Sequence, residues 1–418
     1  MNLQKNMSTP SFIRSRVGSI LSAILITTLA QAEDWPHWRG PTYNGISAEK
    51  GIADTWPEGG PKSVWKAKIG LGFSGISVQN QRAVTVGHAD DRDTVWCFNA
   101  DNGEVVWKHS YDSDLGDKYF DGGPTGTPSM RGDVVVVLSR WGDVFCLDAA
   151  TGKVRWSKNV QKETGARIPD WGFSGSPLLL GELAILNVGS GGVALKLSDG
   201  SIAWRSKDQE AGYSTALPTQ VKNQPVVLLA SGKSYAAIHS KTGEEIWRFP
   251  WPTQYGVNAA DPILDGDRVL ISSGYGQGAA LIAIGEGTPK VVWQNKNLRT
   301  QMNPGVLIQG HVYGIDGDTT TKATLKCINV QTGEVRWTEA GIGSGSVVGV
   351  GSRLLVLTDR GELIWAPAVP EGFKPLARAQ VLGGKCWTAP TLANGKVYCR
   401  NAAGNLVCVD VRGAQPAK

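Results

Sequence analysis

Residues 146–156 read Cys-Leu-Asp-Ala-Ala-Thr-Gly-Lys-Val-Arg-Trp. A short apolar run closes on Leu147, Asp148 to Gly152 offers residues suited to a tight turn, and Val154 to Trp156 begins a second extended run. This is the pattern of a β-hairpin. It returns at Asn102-Gly103 to Trp107, Asp199-Gly200 to Trp204, Thr242-Gly243 to Trp247, Gly287 to Trp293 and Thr332-Gly333 to Trp337. Successive tryptophans from Trp107 to Trp337 are 49, 48, 43, 46 and 44 residues apart, which is the length of a four-stranded propeller blade.

One unit shows the strands. Gly126-Thr127-Pro128 leads into a first strand, Val134 to Leu138 is an apolar second, Val144 to Leu147 a third, and the fourth carries Trp156. No stretch after the N-terminal segment keeps a helical period, so the chain reads as all-β. Val64-Trp65-Lys66 matches Val106-Trp107-Lys108, while a unit from Gly345 ends in a Trp-less strand at Lys374 to Ala379. The segment from Trp387 to Val411 supplies three strands and lacks a fourth, which the Trp65 strand provides. The expectation is an eight-bladed β-propeller of four-stranded antiparallel blades, closed by that N-terminal strand; seven blades would require discarding the Trp-less unit.

Composition agrees. The 53 Gly and 21 Pro among 418 residues suit many turns between short strands. A net charge of +5 without a Lys/Arg cluster argues against a nucleic-acid partner. Arg14 and Arg16 precede an apolar run, Val17 to Leu29, followed by Ala30-Gln31-Ala32. That is the form of a signal peptide cut after Ala32, and the run is too short to span a bilayer. The expected organisation is therefore a signal peptide (1–32), an N-terminal extension packing on the propeller (33–62), the propeller (63–412) and a tail (413–418). The mature chain is expected to be a periplasmic or secreted monomer. Cys97, Cys146, Cys327 and Cys408 occupy one repeat position, as small buried residues do; Cys399 and Cys408 are a candidate hairpin disulfide, and Cys386 has no evident partner.

The Thr-Gly-(Lys/Glu)-Val-x-Trp run after a Cys/Ala-Leu-Asp-Ala strand resembles the PQQ-like repeat of quinoprotein alcohol dehydrogenase-like propellers. The opening Asp34-Trp35-Pro36-His37-Trp38-Arg39-Gly40-Pro41 resembles that of exported PQQ-repeat proteins of planctomycete and verrucomicrobial type. The resemblance covers residues 34–412 and implies that Trp65, Trp107, Trp156, Trp204, Trp247, Trp293 and Trp337 are structural, each packing on a neighbouring blade. It also implies two functions. One is a non-catalytic scaffold for an envelope protein or peptide, similar to the propeller lipoprotein of the outer-membrane protein assembly machine, although no Cys stands at the cleavage site to carry a lipid. The other is a quinoprotein oxidoreductase holding pyrroloquinoline quinone and Ca²⁺.

The chemistry that the second function requires is thin. The chain has no adjacent cysteines of the kind that lie over the quinone in those enzymes, no haem-attachment Cys-x-x-Cys-His and no recognisable Glu, Asn and Asp set for the metal. Its five histidines, His37, His88, His109, His239 and His311, lack metal-ligand spacing. Gly232-Lys233-Ser234 lacks the first glycine of a phosphate loop, and Ser74 and Ser174 lack the full nucleophile motif. No catalytic residue, metal site or cofactor is therefore assigned.

Binding surface remains. The enlarged loop from Tyr111 to Gly123 places four aspartates, Asp112, Asp114, Asp117 and Asp121, beside Tyr119 and Phe120; a second enlargement, Gln161 to Trp171, carries Arg167 and runs on to Phe173. Both join a fourth strand to the next first strand. They should share a rim with Tyr213, Tyr255, Asn258, Met302 and Trp387, a surface suited to a protein, a peptide or a carbohydrate.

Overall fold

In seven of eight blades the third strand sets a residue directly opposite the repeat tryptophan. Cys97 faces Trp107, Cys146 faces Trp156, Cys327 faces Trp337 and Cys408 faces Trp65. Ala194 and Ala237 face Trp204 and Trp247, and only Trp293 meets a larger residue, Leu281. A register irregularity interrupts each of these pairings next to the tryptophan, which increases local twist. The indole reaches the next blade, where Nε1 of Trp65, Trp107 and Trp204 donates to the carbonyls of Ala100, Ala149 and Ser240 at 3.2, 3.0 and 3.0 Å. Its ring covers the turn glycine there: a Cβ on Gly103, Gly152, Gly200, Gly243 or Gly333 would come within 2.6–2.8 Å of the indole. The repeated Gly and the repeated Trp are thus two halves of one interblade joint. Two joints depart from this: Trp247 has no acceptor for Nε1 among the described residues and an open Gly287 at the corresponding turn, and Trp337 donates to Val369 O without covering a described glycine.

This computed structural model describes Met1 and residues 33–413 other than 208, 286 and 320. The expected signal peptide and tail fall outside them, apart from Met1 and Gly413. The strands form eight sheets, numbered here as blades 1 to 8 from the first strands Ser77–Gln79, Ser129–Arg131, Leu178–Leu180, Leu217–Val221, Ile263–Asp265, Val306–Ile308, Ser346–Val350 and Thr391–Ala393. Seven blades use four consecutive strands. Blade 8 has the order Lys62–Lys68, Asn405–Asp410, Lys396–Arg400, Thr391–Ala393, so the Trp65 strand closes the ring.

The Trp-less strand of blade 7, Ala377–Gln380, sets Ala377 opposite Trp365 of the third strand, so in this blade the tryptophan and the small residue have exchanged strands. Its neighbour, blade 8, has no covalent turn between third and fourth strands, because those strands come from opposite chain ends. Gly60, just before the closing strand, lies where a Cβ would be 2.5 Å from the Ala379 Cβ. Closure is reinforced by Arg400, fully buried on blade 8, whose guanidinium donates to the blade 1 carbonyls of Ser74, Val86 and Gly70 at 3.1, 2.7 and 3.2 Å.

Two local expectations change. Cys399 and Cys408 are not bonded: Tyr398 pairs with Cys408 and Cys399 with Val407. A one-residue offset on adjacent strands sends side chains to opposite faces of the sheet. The second enlarged loop begins as a short helix, Val160–Thr164, capped by the Asn159 side chain on Lys162 N (2.9 Å) and ended by Gly165 at φ 71°.

The segment from 33 to 49 crosses the ring at the end where first and second strands turn. Trp35 bridges Val78 in blade 1, Pro36 O accepts from Met130 N in blade 2, and Ile46–Ser47 adds a parallel strand to blade 7. Tyr43 packs against the clusters of blades 3 to 5, and Glu49 accepts from Asn394 N and Gly395 N in blade 8. Arg39, 7% exposed, donates to Pro304 O and Gly305 O in blade 6.

Candidate functional site

At the opposite end, the connections into the first strands surround a cavity of about 770 Å³. Its waist is an arc of hydrogen bonds over blades 1 to 5 made by one repeat position. Gly75 N donates to Thr127 Oγ1 (3.1 Å), Thr127 N to Ser176 Oγ (3.0 Å), Ser176 N to Thr215 Oγ1 (3.0 Å) and Thr215 N to Asp261 Oδ1 (2.7 Å). Each backbone donor in blades 1 to 4 is thus satisfied by a side chain of the next blade. Asn303 continues the series in blade 6, donating to Gly345 O and Trp387 O at 3.1 and 2.8 Å.

Trp38 of the N-terminal segment forms the floor. Its Nε1 donates to Asp261 Oδ2 at 2.6 Å, and both residues line the cavity. Burial pushes the Asp261 carboxyl up to about 6, against the pull of the Arg39 guanidinium. Nearby His37 stacks on Tyr43 with ring centroids 4.0 Å apart, and burial pushes it down to about 4.

The walls are aromatic and fall into three groups. Phe73 lies against Trp387 (5.5 Å, 25° between planes) and Phe120 (5.7 Å). Trp171 lies between Tyr119 (5.5 Å) and Tyr213 (5.9 Å). Tyr255 meets Tyr275 edge-on at 5.5 Å. Lys385 stands 4.5 Å from the Trp387 centroid and is ion-paired with Asp121 at 2.5 Å.

Arg140, on the turn between the second and third strands of blade 2, joins both enlarged loops. Its Nη1 donates to Leu115 O (2.9 Å) and Gly123 O (3.3 Å), its Nη2 to Trp171 O (3.3 Å), and the guanidinium carbon lies 5.1 Å from the Phe120 centroid. A planar fork with several donors suits three carbonyls and a ring face at once.

Of the residues expected on the rim, Tyr119, Phe120, Trp171, Tyr213, Tyr255, Met302 and Trp387 line this cavity. Three stand apart. Phe173 is core, 1% exposed. Asn258 is fully buried, donating to Ser231 O and Trp251 O and accepting from Ser273 Oγ. Arg167 is exposed and pairs with Asp170 at 3.4 Å, leaving Asp170 in the lining. The aspartates of the first enlarged loop do not converge: Asp112 pairs with Arg92, Asp121 with Lys385, and Asp114 accepts from Gly116 N. Among the described residues no three His, Cys, Asp or Glu side chains gather as a metal site would need.

The sequence reading passed over the waist and the floor. A signal for the waist existed, since Thr127, Ser176, Asp261 and Asn303 each directly precede a proline at the head of a blade. Nothing local marks Trp38, whose partner is 223 residues away.

A family profile described as outer membrane protein assembly factor BamB matches residues 91–339, more than half of the chain. The protein belongs to that family. Solved structures agree with a BamB-like ring. BamB from Moraxella catarrhalis is similar at 17% identity, TM-score 0.62, over 84% of this chain and 99% of that one. A quinohemoprotein alcohol dehydrogenase from Comamonas testosteroni is similar at 13% identity, TM-score 0.70, over 92% and 82%. These likenesses establish the PQQ-like β-propeller fold and nothing finer. No curated protein matches the chain. Among the described residues no helix is long and apolar enough to cross a membrane.

Proposed function

We propose that this member of the BamB family is an exported, non-catalytic binding scaffold of the cell envelope that takes its ligand into the aromatic cavity at the mouth of the ring. The observation that carries this reading is the cavity itself: about 770 Å³, floored by Trp38 and walled by aromatic groups drawn from six connections. Such a concave, largely apolar site with a few placed polar groups is what ligand pockets look like. The family description, an outer membrane protein assembly factor, supports the envelope setting.

The quinoprotein reading is less well served by these residues. Pyrroloquinoline quinone is a tricarboxylate, yet the described lining offers one cation, Lys385, already paired with Asp121, against two carboxylates, Asp170 and Asp261. The described lining also includes no histidine or cysteine, and both oxygens of its buried carboxylate, Asp261, already accept from Thr215 N and Trp38 Nε1.

Ala259 lines the cavity, is partly exposed and presents only a methyl group there. Affinity capture from an envelope extract with the wild type and Ala259→Trp tests the reading. Ligands retained by the wild type should be lost when the cavity is filled; equal capture by both proteins would overturn it.

A further inference from the structure

Resting on that reading of the cavity, we infer that its ligand is a neutral oligosaccharide of several rings. Three observations converge. The first is the state of the waist hydroxyls. Thr127 Oγ1, Ser176 Oγ and Thr215 Oγ1 each accept a backbone N–H from the preceding blade. That bond fixes the oxygen, and the hydroxyl proton has no acceptor among the described residues. All three side chains are more than nine-tenths buried and line the cavity. Beside them, Asp261 uses its two oxygens on Thr215 N and Trp38 Nε1, leaving lone pairs as acceptors. Fixed O–H donors next to a fixed carboxylate acceptor match a ligand whose hydroxyls both donate and accept.

The second is the arrangement of aromatic faces. A cage for one ammonium group needs rings converging on a single point. Here the rings are spread around the mouth, with Phe73, Tyr119, Trp171, Tyr213, Tyr255 and Trp387 on six different connections and Tyr275 on a turn within blade 5. Separate platforms suit successive rings of a chain, whose axial C–H groups meet the negative faces of the aromatic rings. The third is charge. With Lys385 engaged by Asp121, the described lining offers no free cation for an anionic ligand, and its three waist hydroxyls are too polar for a purely apolar one.

The test is calorimetric titration of the mature protein with cello-, malto-, manno- and chito-hexaose, each also run on Trp171→Ala, Trp387→Ala and Ala259→Trp, with melting curves confirming that the variants fold. The expected result is that at least one hexasaccharide binds, each Trp→Ala change weakens it tenfold or more, and Ala259→Trp abolishes it. Binding undiminished in Ala259→Trp would place the sugar elsewhere and overturn the inference. So would silence from all four sugars. If, in that case, extract-derived ligands are still captured by the wild type and lost by Ala259→Trp, the sugar assignment fails while the cavity reading stands; if capture is also indifferent to the filling, both fail.

Discussion

The indole of Trp65, on the strand that closes the ring, lies on Gly103 of blade 1, where a Cβ would come 2.6 Å from its Cδ2. Gly103 has φ +76° and Gly287, at the equivalent turn of blade 5, φ +70°, yet nothing lies within 4 Å of a Cβ at Gly287. Gly→Ala at either site costs about 1 kcal/mol for the left-handed backbone. Gly103→Ala should lose a further ~1–3 kcal/mol from overpacking against the indole. Urea midpoints of the two variants check this, and equal losses would refute the joint.

Trp65→Ala removes the indole from that joint and the donor to Ala100 O. Truncating a buried Trp costs about 3–5 kcal/mol, and here the loss falls on the seam between the two chain ends. Hydrogen exchange should quicken first in Lys62–Lys68 and Asn405–Asp410, the closing pair, before blades 3 to 6 respond. Uniform acceleration around the ring would contradict a weak seam.

Arg140→Ala should free both enlarged loops by leaving the Leu115, Gly123 and Trp171 carbonyls without their donor. The expected loss is about 2–4 kcal/mol, with faster exchange at 113–123 and 170–173. Arg140→Lys should not restore protection, since an ammonium cannot reach three carbonyls in one plane.

His37 and Asp261 respond oppositely to acid. His37, depressed to about 4, contributes stability above its ordinary 6.5 that is lost as pH falls toward 4. Asp261, raised to about 6, carries a burial cost when charged, and that cost is relieved as pH falls from 6 toward 3.8. Between pH 6.5 and 4 the two largely offset. Asp261→Asn removes the compensation, so over this interval the variant should lose on the order of 2–3 kcal/mol more than the wild type. Parallel pH profiles in chemical denaturation would disprove the assignment.

All six cysteines are buried and unpaired, and burial pushes the thiols of Cys97 and Cys408 up to about 12. An aromatic disulfide reagent should find no reactive thiol in the native protein and six after denaturation without reductant. Four would restore the Cys399–Cys408 bond.

Much of the fold was legible because the repeat is local. A Gly in the left-handed region and a Trp a few residues later belong to one hairpin, so blade number, strand order and closure by Trp65 follow from spacing, and seven of the cavity-lining residues follow from which connections share a rim. The Cys399–Cys408 register was not legible, since a one-residue shift across a hairpin reverses faces without changing composition. Phe173 and Asn258 sit on the correct connections but point into the protein, a choice made by neighbouring blades.

The sequence by itself determined the ring: short-range hairpin chemistry, repeated at blade length, leaves few other ways to bury one apolar face per unit. Only the tertiary structure decided what the ring encloses. The Trp38–Asp261 floor, the hydroxyl relay from Thr127 to Asp261 and the Arg140 clasp each join residues far apart in the chain or carried by different blades. Such contacts depend on how the blades close around an axis, and no local pattern encodes that geometry.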